Sequence, residues 1–268
     1  MFMNAKNGTV RLADGYMDYI RFGSGKKNLI ILAGLGESLR FIRGTAIPMA
    51  LLYRRFAKEY TVYSFGRKYP LTAEYATREM ARDQIEAMDS LGIVEADVIG
   101  VSMGGMIAQF MAVDYPDRIG KLVLAVTCAY PNPILNASVA EWISYARRND
   151  HRAFMESNLR LIYSDKYYRR NRWMIPIIGR LTKPESYDRF FTQANACLEH
   201  NALGLLGEIR AETLVIGGDR DAALGGDASW DIAAAIPKAH LKMYPEGTHG
   251  LYEEETDFQQ TILNFLIG

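Results

Sequence analysis

Val98-Ile99-Gly100-Val101-Ser102-Met103-Gly104-Gly105 decides the fold. The apolar run from Ala96 to Gly100 predicts a buried strand, and Met106-Ile107-Ala108-Gln109-Phe110-Met111 predicts a helix directly after it. Between them Gly100-Val101-Ser102-Met103-Gly104 spells G-x-S-x-G, the pattern of a serine held at a sharp strand-to-helix turn. Such a turn forces the serine into strained backbone angles, and only neighbours without bulk leave room for it. Gly100 and Gly104 supply that room. The hydroxyl then stands above the end of the sheet. The following helix aims its N-terminus, with the N–H of Met103, at any negative charge that develops beside Ser102.

A serine hydroxyl is a weak nucleophile and needs a base, and the base needs an orienter. Both lie downstream. Thr213-Leu214-Val215-Ile216-Gly217-Gly218 predicts a short apolar strand that ends in Asp219-Arg220-Asp221. Leu241-Lys242-Met243-Tyr244 predicts another, followed by Pro245-Glu246-Gly247-Thr248-His249-Gly250. Of the 4 histidines, only His249 stands before a glycine in a loop after a late strand; His240 adjoins a strand, and His151 and His200 lie in helical sequence. The chain order is therefore serine, acid, histidine, with the last two just past strand ends. Asp219 and Asp221 both qualify as the acid on position alone.

The surrounding sequence alternates strand and helix. Thr9 to Leu12 and Met17 to Phe22 alternate apolar and polar residues, which predicts an antiparallel hairpin turning at Ala13-Asp14-Gly15. Asn28 to Leu32 is a continuous apolar run, as in a strand buried on both faces. A helix is expected from near Pro48 to Tyr60, a strand over Thr61 to Phe65, and a helix over Thr77 to Leu91 capped by Thr77 or an earlier residue and ended by Gly92. Asp257 to Ile267 carries apolar residues at helical spacing. The pattern is that of an α/β fold, a mostly parallel central sheet with helices on both faces. It breaks only between Tyr130 and about Arg210, where some 80 residues have helical character and no clear strand. Residues 1–130 and 211–268 are thus expected to form the core, with 131–210 as a helical cap insertion over the site.

Composition sets the outer bounds. The 268 residues are 49% hydrophobic, enough for one large domain. The 31 basic and 31 acidic residues cancel, which argues against nucleic acid or an anionic membrane surface as the main partner. The N-terminus lacks an apolar signal region, and no apolar run approaches the roughly 18 residues of a membrane span. Cys128 and Cys197 are far apart and form no motif, as expected of buried thiols in a cytoplasmic, reducing setting. A monomer or a homodimer is expected.

These motifs resemble the α/β-hydrolase fold family over nearly the whole chain. The resemblance rests on Leu29 to Glu37, Gly100 to Gly104, Tyr115-Pro116-Asp117-Arg118-Ile119, Gly218 to Asp221 and Gly247 to Gly250. Within the family the chain looks most similar to small bacterial-type esterases and enol-lactone hydrolases. The family's spacing of glycine, two residues, then acid selects Asp221. The resemblance implies that Ser102, His249 and Asp221 form a catalytic triad, with an oxyanion hole from the N–H groups of Leu35 and Met103. It implies a small-molecule ester or lactone substrate and no cofactor.

Two positions depart from the family's habit. Ala33 stands where a loop-bracing histidine is usual, and Gly66 where an aspartate is usual. Glu37, Arg40, Arg43 and Arg67 are candidates for a substitute network, against the plainer reading of a solvated polar rim. Gly34, Trp142 and Tyr145 are the expected substrate-binding residues, with Phe154 and Met155 as further candidates for an acyl pocket. The cap's arginines and aromatics are expected on a solvated face, the sharper alternative being an arginine that holds a substrate carboxylate. No metal motif occurs, and Leu39 breaks the glycine pattern of a dinucleotide loop. The expected activity is cofactor-free hydrolysis of a small carboxylic ester. The alternatives are a lactone, thioester or C–C bond cleaved by the same triad, or a receptor-like binding protein.

Overall fold

The computed structural model describes residues 2–40, 42–72 and 74–268. Eight strands form one sheet: β1 (Lys6–Leu12), β2 (Gly15–Gly23), β3 (Lys27–Leu32), β4 (Tyr60–Phe65), β5 (Ala96–Val101), β6 (Ile119–Ala125), β7 (Glu212–Gly218) and β8 (Ala239–Tyr244). Their order is β1-β2-β4-β3-β5-β6-β7-β8. β1 and β2 pair antiparallel across a tight turn, as their alternation predicts, and β2 runs antiparallel to β4. Every pairing from β4 to β8 is parallel.

Along the chain follow α1 (Ala46–Leu52), α2 (Thr77–Ser90) and α3 (Met103–Asp114). Five helices stand between β6 and β7: α4 (Pro133–Arg147), α5 (His151–Ile162), α6 (Asp165–Asn171), α7 (Ile175–Thr182) and α8 (Asp188–Glu199). After β7 come α9 (Asp227–Ala235), α10 (Leu251–Glu254) and α11 (Phe258–Ile267).

The parallel strands are apolar on both sides because both faces are covered. Ile30, Leu32, Val98, Leu122 and Leu124 join one core with Met80, Ile85 and Met88 of α2 and Ile107 and Met111 of α3. Their alternates Leu29, Ile31, Ile99, Val123 and Ala125 join the opposite core with Phe258, Ile262 and Leu266 of α11. The strand order reverses at β3, whose successor β4 pairs on one side while β5 pairs on the other. Loops at the carboxyl ends of strands diverge at such a reversal and leave a crevice there. The register Leu32↔Gly100 brings the loop after β3 and the serine turn after β5 to the two sides of that crevice.

One element differs from the sequence expectation. The helix expected from Pro48 to Tyr60 spans only Ala46–Leu52. Beyond it Phe56 and Ala57 donate three residues back, to Tyr53 and Arg54, so the chain descends in turns until Tyr60 joins β4 opposite Lys27. The cap of α2 falls on the earlier of the residues the sequence allowed, Ala76, whose N–H donates to Glu79 Oε2 at 3.0 Å, while Thr77 is already helical and its hydroxyl meets His200 Nδ1 at 2.9 Å. A side chain committed to a tertiary contact was not available to cap.

Candidate active site

Ser102 lies between β5 and α3 with φ 54° and ψ −124°, a left-handed angle that few residues other than glycine adopt. Its N–H donates to Ala125 O on β6 at 2.9 Å, which hooks the turn onto the neighbouring strand. The flanking glycines are steric necessities. A Cβ on Gly104 would stand 2.1 Å from Leu32 O, and one on Gly100 would stand 2.6 Å from Gly104 O.

The structure brings Ser102, His249 and Asp221 together. His249 Nε2 lies 3.0 Å from Ser102 Oγ, and His249 Nδ1 lies 2.8 Å from Asp221 Oδ2. The other oxygen of Asp221 accepts from the N–H groups of Ala223 and Leu224, both at 2.9 Å. This grip fixes the carboxylate and aims its free oxygen at the imidazole. Asp221 and His249 are buried, whereas Asp219 is exposed. The histidine loop is seated by Gly250 N–H on Ile162 O at 2.5 Å, a bond to the C-terminal turn of α5.

The loop after β3 runs close to the serine. A Cβ on Gly34 would lie 3.1 Å from Ser102 Cβ and 3.6 Å from its Oγ. Leu35 opens a short 3-10 turn in which Glu37 N–H returns to Gly34 O, so the N–H of Leu35 precedes the first internal bond. Met103 opens α3 in the same way. Both N–H groups thus belong to unsatisfied helix starts on either side of Ser102.

Glu37 is not part of a solvated rim. Its carboxylate accepts from Arg189 Nη2 at 3.0 and 3.2 Å, from Gln193 Nε2 at 3.0 Å and from the Arg67 N–H at 3.2 Å. Arg67 is wholly buried and donates Nη2 to Ala33 O at 2.8 Å. Burial pulls the Arg67 guanidinium below its usual range, and the Glu37 charge opposes that pull. A Cβ on Gly66 would lie 3.0 Å from Glu37 Oε1, so the Glu37 carboxylate occupies the space where a side chain at position 66 would begin. Of the expected network, Arg67 takes part, while Arg40 and Arg43 are exposed. Arg189 and Gln193 were not anticipated. Their signal was their i, i+4 spacing, which puts both on one side of α8.

A cavity of about 470 Å³ opens beside Ser102 and His249. Gly34, Leu35 and Glu37 form one wall, and Trp142, Phe154, Met155, Leu159 and Phe190 of the helical insertion form the other. Tyr53, Tyr163 and Tyr252 border it as well, and burial pushes the Tyr53 phenol up to about 12. The surface is largely apolar. The Nε1–H of Trp142 is buried without a hydrogen-bond partner among the described residues. Tyr145 does not line the cavity, contrary to expectation. One turn beyond Trp142 it has passed the cavity wall, and its ring lies 5.0 Å from the Arg148 guanidinium. Among the described residues no group of histidine, cysteine and acidic side chains could hold a metal ion.

Comparison with known proteins agrees with this architecture. The pattern of the alpha/beta hydrolase fold matches residues 29–256, and the chain belongs to that family. Over 270 residues it is 27% identical to a Caulobacter sp. (strain K31) protein provisionally named carbamate hydrolase RutD, covering 98% of each chain. Over 209 residues it is 29% identical to a 2-hydroxy-6-oxononadienedioate/2-hydroxy-6-oxononatrienedioate hydrolase of Pseudomonas sp, covering 75% of this chain and 74% of that one. Among solved structures, the enol-lactonase of Burkholderia xenovorans LB400 superposes with a TM-score of 0.81 over 97% of this chain and all of that one, at 20% identity, a likeness of fold alone. Fold and relatives define the chain as a hydrolase.

Proposed function

We propose that this hydrolase cleaves a small, uncharged carboxylic ester through an acyl-enzyme on Ser102, without a cofactor. The observation that carries the proposal is the continuous hydrogen-bond path from Ser102 Oγ through His249 to Asp221 beside an apolar cavity. Ser102 Oγ attacks the carbonyl carbon while His249 Nε2 takes its proton. The N–H groups of Leu35 and Met103 receive the oxyanion. His249 returns the proton to the leaving alcohol, then deprotonates a water that attacks the acyl carbon and releases the acid. Asp221 holds the imidazole tautomer with its basic nitrogen toward Ser102.

The cavity favours an ester over a dicarboxylate of the kind named for the Pseudomonas relative. Its lining is mainly apolar, the carboxylate already there, that of Glu37, is engaged by Arg189, and the one other charged side chain on the lining, Arg40, is exposed to solvent. The arginine that reaches inward from the insertion is therefore matched by an internal acid. Trp142 Nε1–H offers one donor for a substrate oxygen. The helical insertion acts as a cap that sets acyl length.

The test is a fluorophosphonate probe followed by peptide mapping. A single adduct on Ser102, lost in His249→Ala, supports the triad and leads to an ester panel graded by acyl length. A folded protein that gives no adduct overturns it.

A further inference from the structure

The segment from Asp165 to Lys183 stands apart from the rest of the chain. Lys166, Arg169, Arg170, Arg172, Arg180 and Lys183 are all exposed there, against the single acid Asp165. The whole chain balances at zero, so this basic excess is a local charge separation that total composition hides. The same segment exposes apolar side chains. Trp173 is 66% exposed, Ile177 55% and Leu181 81%.

The backbone makes these features one surface. α6, a single 3-10 turn at Arg172–Met174 and α7 follow one another without a break. Ile175 is buried and Ile178, Gly179 and Thr182 are half-buried, at i, i+3, i+4 and i+7. That stripe packs inward and accounts for the segment's place in the fold. Trp173, Ile177 and Leu181 recur every 4 residues on the opposite face, at about 100° per residue. A helix that needs one apolar stripe for packing carries a second, toward solvent. On the same reckoning Arg180 falls beside the outer stripe.

We infer that this face docks on an anionic lipid surface. An amphipathic helix lying in a membrane interface has an aromatic and aliphatic face that enters the headgroup boundary and flanking basic residues that meet anionic lipids. Both are present here, on one segment. Charge selects the lipid surface over a second copy of this chain, because a two-fold interface would set the basic cluster against itself. The outer stripe selects it over a nucleic acid, whose phosphates give Ile177 and Leu181 nothing to bury. The proposal departs from the absence of a membrane partner expected from net charge, and it concerns surface docking only: no helix among the described residues is long and apolar enough to cross a membrane. The cavity lies close by. Thr182 at the end of α7 lines it, as do Met49 and Tyr53 beside the exposed Ile47, Leu51 and Leu52 of α1.

The experiment is co-sedimentation of the full chain with vesicles of phosphatidylcholine alone, or with about 30 mol % phosphatidylglycerol. Binding is expected only to the anionic vesicles, and about 0.5 M salt should weaken it severalfold. The combined change Trp173→Ser, Ile177→Ser and Leu181→Ser should lower partitioning at least about tenfold. So should Arg169→Gln, Arg172→Gln and Arg180→Gln together. These side chains are exposed, so circular dichroism and fluorophosphonate labelling should be unchanged. Equal binding to neutral vesicles, no binding to either, or undiminished binding by the serine variant would overturn the inference. So would a dimer in gel filtration that the serine changes dissociate, or heparin binding unaccompanied by vesicle binding.

Discussion

Replacing Glu37 by alanine should destabilise the protein far more than a polar-rim substitution would. The Glu37 carboxylate takes hydrogen bonds from Arg189, Gln193 and the Arg67 backbone. The side chains of the Glu37–Arg189 pair are only 5% and 15% exposed, so water cannot stand in for the lost acid. Removing one member of a buried ion pair costs about 3–5 kcal/mol. The nearby Arg67 charge adds to the cost, since Glu37 is the main group opposing the effect of burial on it. Set against a typical domain stability of about 5–15 kcal/mol, this is a large fraction. Glu37→Gln keeps the shape and one acceptor oxygen and should lose about half as much. Urea unfolding followed by circular dichroism measures both losses, provided the slope with denaturant is unchanged. Arg189→Met made alone and with Glu37→Ala completes a double-mutant cycle, with an expected coupling above about 1 kcal/mol. A loss below about 1 kcal/mol for Glu37→Ala would show that solvent reaches the carboxylate and would refute the reasoning. Because Glu37 shares its turn with Leu35, the surviving Glu37→Gln enzyme should lose kcat while KM stays nearly constant.

Ser102→Ala should lower kcat roughly 10⁴–10⁶-fold on any ester the wild type accepts, and near-normal turnover would remove the serine from the chemistry. Gly104→Ala places a Cβ against the Leu32 carbonyl, which is backbone and cannot yield, so a loss upwards of about 3 kcal/mol is expected in thermal unfolding. His200, enclosed by Thr77, Gln109 and Phe110, is held by burial down at about 3. The unfolded chain binds a proton near the ordinary value of about 6.5 that the folded chain refuses. The stability this residue contributes is therefore intact above about pH 6.5 and is lost as pH falls from there toward 3, at up to about 1.4 kcal/mol per unit. Between pH 7 and 5 the wild type should lose about 2 kcal/mol more than His200→Gln, and parallel losses would contradict this.

Much of this molecule was legible in sequence wherever local chemistry dictates backbone. The apolar runs at Leu29 to Leu32, Ala96 to Gly100 and Thr213 to Gly218 had to be strands covered on both faces, and their order fixed where Ser102, Asp221 and His249 would meet. The turn glycines were readable because no other residue fits beside Leu32 O. The Glu37 network was only half readable. Its members are close in space but lie on three separate elements, and the sequence contains nothing that says a carboxylate from the loop after β3 fills the space beside Gly66. Tyr145 misled because helical spacing tells which side of α4 a residue occupies but not how far along α4 the cavity extends.

The left-handed angle of Ser102 carries a consequence for durability. Holding a non-glycine residue there costs about 1–3 kcal/mol, and glycine adopts such angles without that penalty. Ser102→Gly should therefore melt at a higher temperature than the wild type while losing the proposed nucleophile. Selection for heat resistance alone would favour the glycine and extinguish turnover, so any programme to toughen this protein must screen for both properties at once.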